Sequence, residues 1–260
     1  MPLPTLDIPR IVRETFVVRV EHHATLGSTN DRAKQVAAER PGPLPLLIVA
    51  DAQTAGRGRG TNRWWTGRGS LACSLLVDLD GLGIDRRGRA LVALAAGAAI
   101  VETASPLLPS HAVGLHWPND VYAAGRKLAG VLVEVPANGL HVIGIGINTN
   151  TSLADAPPEL RQTATSLLEL TAARHDPTDI LCALLERLAA NLRALADTPE
   201  RIAARANALC LQRGQRLTVR VSEGWVSGQC EGIAPDGALL LRTRGGPEKL
   251  YSGEVRRGEG

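Results

Sequence analysis

Turn signals between residues 113 and 148 constrain the fold of this 260-residue chain more than any other feature. Short apolar runs at 113–117 and 120–123 flank Pro118, and Ala124-Gly125 reads as a two-residue turn into a strand from Lys127 to Val135. Asn138-Gly139 is a second turn signal and leads into LHVIGIGIN at 140–148. Tight hairpins join antiparallel strands only, so these elements exclude a doubly wound parallel sheet and require an antiparallel or mixed one.

The rest of the chain adds helices to that sheet. FVVRV at 16–20 and LLIVA at 46–50 read as strands, the second a continuous apolar run of the kind buried on both faces. Between them Ser28, Thr29 and Asn30 offer caps for a helix running to about Arg40, where Pro41-Gly-Pro stops it. A strand at 70–77 (SLACSLLV) precedes a helix from about Arg87 to Ala104, in which Ala95, Ala96, Gly97, Ala98 and Ala99 permit close packing. Further helices are expected at 163–171, 178–196 and 199–208. In the second of these, Ile180, Leu184, Leu185, Leu188, Leu192 and Leu195 fall on one face. From Gly214 the pattern changes to short strands at 216–222, 225–233, 238–243 and 248–252, with turns at Glu223-Gly224, Asp236-Gly237 and Gly245-Gly246. That spacing predicts a small barrel and places a boundary near 210, giving domains 1–209 and 210–260.

Composition narrows the function classes. The 29 basic and 26 acidic residues leave a formal charge of +3, against the large basic excess of a dedicated nucleic-acid binder. Cys73, Cys182, Cys210 and Cys230 are scattered, without the spacing of a structural zinc site. The N-terminal MPLPTLDIPRIVRET lacks the basic-then-apolar order of a signal peptide, and the stretch Ala90 to Val101 is too short to span a bilayer. These features predict a soluble protein of a reducing compartment, the cytoplasm.

Three segments could carry chemistry. The glycine-rich loop QTAGRGRGTNRWWTGRG at 53–69 holds four arginines and no acidic residue. Glycines let backbone N–H groups approach a ligand, and Arg57 and Arg59 can grip a phosphate or carboxylate; equally, the loop could be a solvated basic segment. In LHWPND at 115–120, Pro118 would hold Asn119 and Asp120 at a strand break, and Lys127 then enters an apolar strand. A lysine in that setting either serves a site or snorkels from an exposed edge. Gly130 points to a bulge or a close backbone approach. In GIGIN at 144–148, Gly144 and Gly146 serve a ligand or relieve crowding against the 90–104 helix. Ser28-Thr29-Asn30 is likewise a ligand site or a plain helix cap. No Gly-x-Ser-x-Gly is present, no cysteine neighbours a histidine in sequence, and His116 is the one histidine inside a motif.

In this order, GSTN (27–30), ADAQTAGRGRG (50–60), Trp64, LHWPND (115–120), RKLAGVLVE (126–134), GIGIN (144–148) and TSLLE (165–169) resemble the biotin protein ligases over about residues 20–250. The resemblance implies an α+β fold: a mixed, largely antiparallel seven-stranded sheet flanked by helices, like that of class II aminoacyl-tRNA synthetases, with an SH3-like C-terminal barrel. It implies two half-reactions. ATP and Mg²⁺ convert biotin to biotinyl-5′-AMP, and a lysine of the biotin carboxyl carrier domain of acetyl-CoA carboxylase then takes the biotinyl group. Only some twenty residues precede the motifs, so the ligase-only form without a DNA-binding domain is expected, with no membrane partner; a homodimer is among the assemblies it allows.

The resemblance also assigns residues. Lys127 and Arg59 match catalytic positions. Ser28, Thr29, Asn30, Gln53, Arg57, Gly58, Arg59, Lys127 and Gly130 match the biotin site. Arg57, Arg59, Trp64, Asp120, Lys127 and Asn148 match the ATP and adenylate site, with Asp120 and Asn148 toward the metal. Two departures stand out: His116 replaces a common lysine, and TNRWWTG replaces a more basic stretch, with Arg63 the substitute. Trp64, Trp65 and Trp117 all fall in motifs expected to line the site. Rival readings are a lipoate ligase or octanoyltransferase of the same fold, and a non-catalytic nucleic-acid binder using the Arg-Gly loop, which the near-neutral charge disfavours.

Overall fold

In the computed structural model, which describes residues 5–39, 41–222 and 224–257, a helix not anticipated from the sequence comes first. This is α1 (Ile8–Glu14), capped by Asp7, whose side chain accepts from the Arg10 backbone N–H, and with proline in its first turn. β1 (Arg19–Leu26), α2 (Thr29–Ala38), β2 (Leu46–Gln53) and β3 (Leu71–Val77) follow. The strand expected at 16–20 therefore starts later and runs further. As an edge strand its RVEHHATL sequence is half polar, which hid it. Arg40 and Glu223, where a helix end and a turn were expected, lie outside the described residues.

The helix expected over 87–104 is divided at Leu91 into α3 (Arg86–Ala90) and α4 (Val92–Ala104). The hairpin region forms β4 (Val113–His116), β5 (Asp120–Ala123), β6 (Arg126–Glu134) and β7 (His141–Ile147). Ala124 and Gly125 both have positive φ, 49° and 76°, as a two-residue turn between β5 and β6 demands. Expected helix 163–171 is two short ones, α5 (Pro158–Thr163) and α6 (Leu167–Thr171), because residues 164–166 instead run alongside β6. α7 (Pro177–Asp197) and α8 (Pro199–Ala208) match expectation.

The seven strands form one sheet in the order β1-β2-β3-β7-β6-β5-β4, parallel only between β1 and β2. It is mixed and largely antiparallel. Ile143, Ile145 and Ile147 on β7 point to the main core with α4 and α7, where Leu184, Leu185, Leu188, Leu192 and Leu195 are all at most 2% exposed. Burying each such side chain contributes about 1.5–3 kcal/mol. Leu46, Ile48, Leu76 and Val142 face the other way and pack under Ala33, Val36 and Ala37 of α2.

Beyond the seven-stranded sheet, β8 (Arg216–Val221), β9 (Gly224–Ile233), β10 (Leu239–Thr243), β11 (Gly246–Leu250) and β12 (Glu254–Arg257) make a separate antiparallel sheet in the order β11-β10-β9-β8-β12. The connector ties the two sheets together. Leu115 N–H donates to Leu209 C=O at 2.8 Å and Leu211 N–H to Leu115 C=O at 2.9 Å. Buried Gln212 accepts from the Trp117 backbone at 2.6 Å, and the Trp117 indole N–H donates to Gly237 C=O at 3.0 Å. No helix among the described residues is long and apolar enough to cross a membrane.

Candidate functional site

The register of the sheet lays a row of small residues under a cavity of about 410 Å³. Across adjacent strands, His116 pairs with Asp120, Asp120 with Gly130, Gly130 with Gly146 and Gly146 with Ala72. A Cβ on Gly146 would overlap the Trp64 indole, and one on Gly130 would stand 3.4 Å from the same ring and 3.1 Å from Asp120 Oδ1. One row higher, a Cβ on Gly144 would overlap the Asn30 amide. Both β7 glycines therefore face α2 and the cavity, and the 90–104 helix is on the opposite side of the sheet.

A bulge aims the lysine. Between Val121 and Tyr122 the β5–β6 register shifts, so that Tyr122 pairs with Lys127 while Val121 pairs with Ala129. The additional residue, Leu128, is buried, and the phase change puts Lys127 and Gly130 on one face although they are three apart. Lys127 Nζ lies 2.8 Å from Asp120 Oδ2 and 5.8 Å from the centroid of the Trp64 ring. β6 is an interior strand, so Lys127 does not snorkel from an exposed edge. Its backbone carbonyl accepts from Thr165 N–H at 2.9 Å, which is why residues 164–166 leave the helical path.

At one end the cavity is polar but uncharged. Ser28, Thr29 and Asn30 are each 4% exposed. Gln53 Oε1 accepts from Thr29 N–H at 2.8 Å and Gln53 Nε2 donates to Thr66 Oγ1 at 3.1 Å. Asn30 Oδ1 accepts from buried Ser74 Oγ at 2.6 Å. Ser28 does cap α2, and the same residues also line the cavity, so the two readings of this motif coexist.

The arginine loop forms a strap over the opening. Gly58 N–H donates to Asn62 C=O at 2.9 Å and Trp64 N–H to Gly56 C=O at 3.0 Å, closing a hairpin around Arg57 to Arg63. Arg59 Nη1 donates to Asn119 Oδ1 at 3.1 Å and to Gly253 C=O at 3.3 Å. Burial pulls the Arg59 guanidinium below its ordinary pKa, partly opposed by Asp120. Gly253, Glu254 and Val255 of the second sheet thus complete the cavity wall, a contribution that no sequence motif announced. His116 stacks on Tyr122 with ring centroids 4.3 Å apart.

Eleven of the twelve residues that the resemblance assigns line this one cavity: Ser28, Thr29, Asn30, Gln53, Arg57, Gly58, Arg59, Trp64, Asp120, Lys127 and Gly130. Asn148 does not. It is 4% exposed, its Nδ2 donates to Thr165 C=O at 3.0 Å and its N–H to Leu128 C=O at 3.0 Å. Its amide thus joins the loop at Thr165 to the β6 bulge at Leu128. Trp65 is also outside, packed on Leu153, Ala156 and Ala164. Among the described residues no three His, Cys, Asp or Glu side chains gather as a metal-binding group, and the carboxylates that line the cavity are Asp120 and Glu254.

The fold agrees with that of known proteins this chain resembles. Residues 24–150 match the Biotin/lipoate A/B protein ligase family and residues 214–258 the Biotin protein ligase C terminal domain. The chain is 35% identical to the biotin–[acetyl-CoA-carboxylase] ligase of Mycobacterium tuberculosis, over 89% of this chain and 86% of that protein. It is 31% identical to the bifunctional ligase/repressor BirA of Bacillus subtilis, over 91% of this chain and 73% of that one. Among solved structures, the biotin protein ligase from Aquifex aeolicus in complex with biotin and ATP superposes with a TM-score of 0.81 at 27% identity, covering 93% of this chain and all of that one. On this similarity, carried over most of both chains, the protein belongs to the biotin protein ligase family.

Proposed function

We propose that this chain activates biotin with ATP as biotinyl-5′-AMP and transfers it to a lysine of the biotin carboxyl carrier domain of acetyl-CoA carboxylase. The observation that carries the reading is one cavity with a neutral polar end and, next to it, the Lys127–Asp120 pair under an arginine strap. The neutral end suits the ureido group of biotin, an uncharged donor and acceptor. The cationic end suits the carboxylate and the α-phosphate. A carboxylate oxygen attacks the α-phosphorus, the bond to pyrophosphate breaks, and the negative charge of both reactants must be offset for them to meet. Lys127 supplies a compact cation between them, and Arg59 and the Trp64 ring exclude water from the mixed anhydride. In the second step an acceptor amine attacks the biotinyl carbonyl, AMP leaves, and the amine loses a proton.

The named relatives include one that acts on acetyl-CoA carboxylase and one that binds biotin and ATP, which supports the same substrates here. Magnesium held mainly by phosphates requires only one or two protein carboxylates, and Asp120, whose Oδ1 is buried without a hydrogen-bond partner among the described residues, fits that need. When bound it would reduce the charge on the departing pyrophosphate. We place the boundary between catalytic domain and C-terminal domain near residue 210, within the connector. We assign the protein to the cytoplasm, where its four unbridged cysteines stay reduced.

The test is incubation with labelled biotin, ATP, Mg²⁺ and a carrier domain, in parallel with lipoate and octanoate. ATP-dependent label on the acceptor lysine from biotin is expected. Label from lipoate or octanoate but none from biotin would replace this reading with its nearest rival.

A further inference from the structure

Four charged side chains next to the cavity close into a ring. Asp31 Oδ1 lies 2.9 Å from Lys34 Nζ and 2.6 Å from Arg57 Nη1. Glu134 Oε1 lies 3.1 Å from the same Lys34 Nζ and 3.0 Å from Arg57 Nη2. Each charge touches both charges of opposite sign, and the ring is neutral overall. Its members come from three places: Asp31 and Lys34 from α2, Glu134 from the end of β6, and Arg57 from the strap.

Only Arg57 of the four lines the cavity. Its guanidinium is committed to two carboxylates, so Arg57 is the anchor of the strap on the α2 side. Arg59 fastens the other side, on Asn119 and Gly253. The ring also reaches the polar end of the cavity, because Glu134 Oε2 accepts from Asn30 Nδ2 at 2.8 Å. Burial alone would push the carboxyls of Asp31 and Glu134 up, but hydrogen bonds from Lys34 and Arg57 to the first, and from Asn30 and Lys34 to the second, hold both below their ordinary values. All four groups are therefore charged at neutral pH. A single exposed ion pair would contribute little, whereas in a ring each side chain, once ordered, serves two contacts.

We propose that Asp31, Lys34 and Glu134 are positioning residues that fasten the strap through Arg57, and so set how long it stays closed over biotinyl-adenylate. The inference rests on the biotin-activating reading above. It gives a task to Lys34, one of three lysines in the chain and one of the two that no motif explains.

Two measurements test it. In the first, adenylate is formed on the enzyme from radiolabelled biotin and ATP and chased with unlabelled substrates. Lys34→Met and Asp31→Asn should each release label about twofold to fivefold faster than wild type at low salt. Lys34→Arg should restore retention, and added salt should speed release from wild type more than from Lys34→Met. The rate of adenylate formation should not change with Lys34→Met. In the second, trypsin is added without any ligand, and cleavage after Arg57, Arg59 or Arg63 should be faster in Lys34→Met than in wild type. Wild-type retention in both Lys34→Met and Asp31→Asn overturns the proposal. Should the wild-type protein form no adenylate, the activity reading fails by itself, and equal tryptic cleavage of the strap in wild type and Lys34→Met then overturns the ring's role independently.

Discussion

Lys127 Nζ and Asp120 Oδ2 meet at 2.8 Å across neighbouring strands, and they do so because the bulge at Leu128 turns Lys127 onto the face that Asp120 already occupies. The pair keeps a compact cation at the floor of the cavity without burying it fully, since the lysine side chain is still 33% exposed. A strand in regular register would have put Lys127 and Gly130 on opposite faces.

Lys127→Ala is expected to abolish biotin-dependent pyrophosphate exchange, lowering the rate by about 100-fold or more, as removal of a transition-state charge contact does. No core packing is lost, so the melting temperature should change little. A variant that exchanges pyrophosphate within a factor of about three of wild type would leave the lysine no part in the chemistry.

Arg59→Gly removes the bonds to Asn119 and Gly253 and frees one side of the strap. Adenylate should then escape before transfer, visible as biotin on lysines of an added bystander protein such as albumin. If Arg59→Gly labels no more bystander than wild type, Arg59 does not control closure.

Gly146→Ala tests the floor. The added methyl would overlap the Trp64 indole, so the ring must lift or the strand must shift, at a cost of about 1–3 kcal/mol. A changed tryptophan emission maximum with a raised KM for biotin or ATP is the expected result. Gly139→Ala meets no atom within 4 Å and serves as the control, although its φ of 81° carries a backbone penalty of its own. Unaltered emission and KM in Gly146→Ala would show that the indole does not rest on this strand during turnover.

Local signals made the strands under the cavity legible. The Ala124-Gly125 turn, the Pro118 break and the glycines at 130, 144 and 146 each state a backbone demand that neighbouring residues cannot disguise. The helix start at 28–30 was readable for the same reason, since its N–H groups must find partners, whereas Gln53 beside it came only from the resemblance. What stayed hidden depends on residues far apart in the chain. Glu134 meets Lys34 across a hundred positions, and Gly253 reaches Arg59 from the second sheet. The bond from Asn148 to the Thr165 carbonyl likewise joins a strand end to a loop seventeen residues on, which no local signal announces. α1 could have been found: Asp7 with Pro9 is a helix-start signal, overshadowed by the prolines before it.

The ring of Asp31, Lys34, Arg57 and Glu134 predicts a pH dependence with a definite sign. Both carboxyls sit below their ordinary values in the folded chain, so their stabilising contribution is fully present above the unfolded carboxylate range, about pH 4, and is lost as pH falls through the lowered folded values. All four side chains are partly exposed, and solvent screening limits the gain to about 0.5–1 kcal/mol. Lys34→Met should therefore be less stable than wild type by about that amount from pH 8 to about pH 5, measured by urea unfolding. Below about pH 4 the difference should close, because a protonated carboxyl gives Lys34 no charge to pair with. A difference that persists undiminished in acid would show that Lys34 contributes through its packed stem and not through the ring.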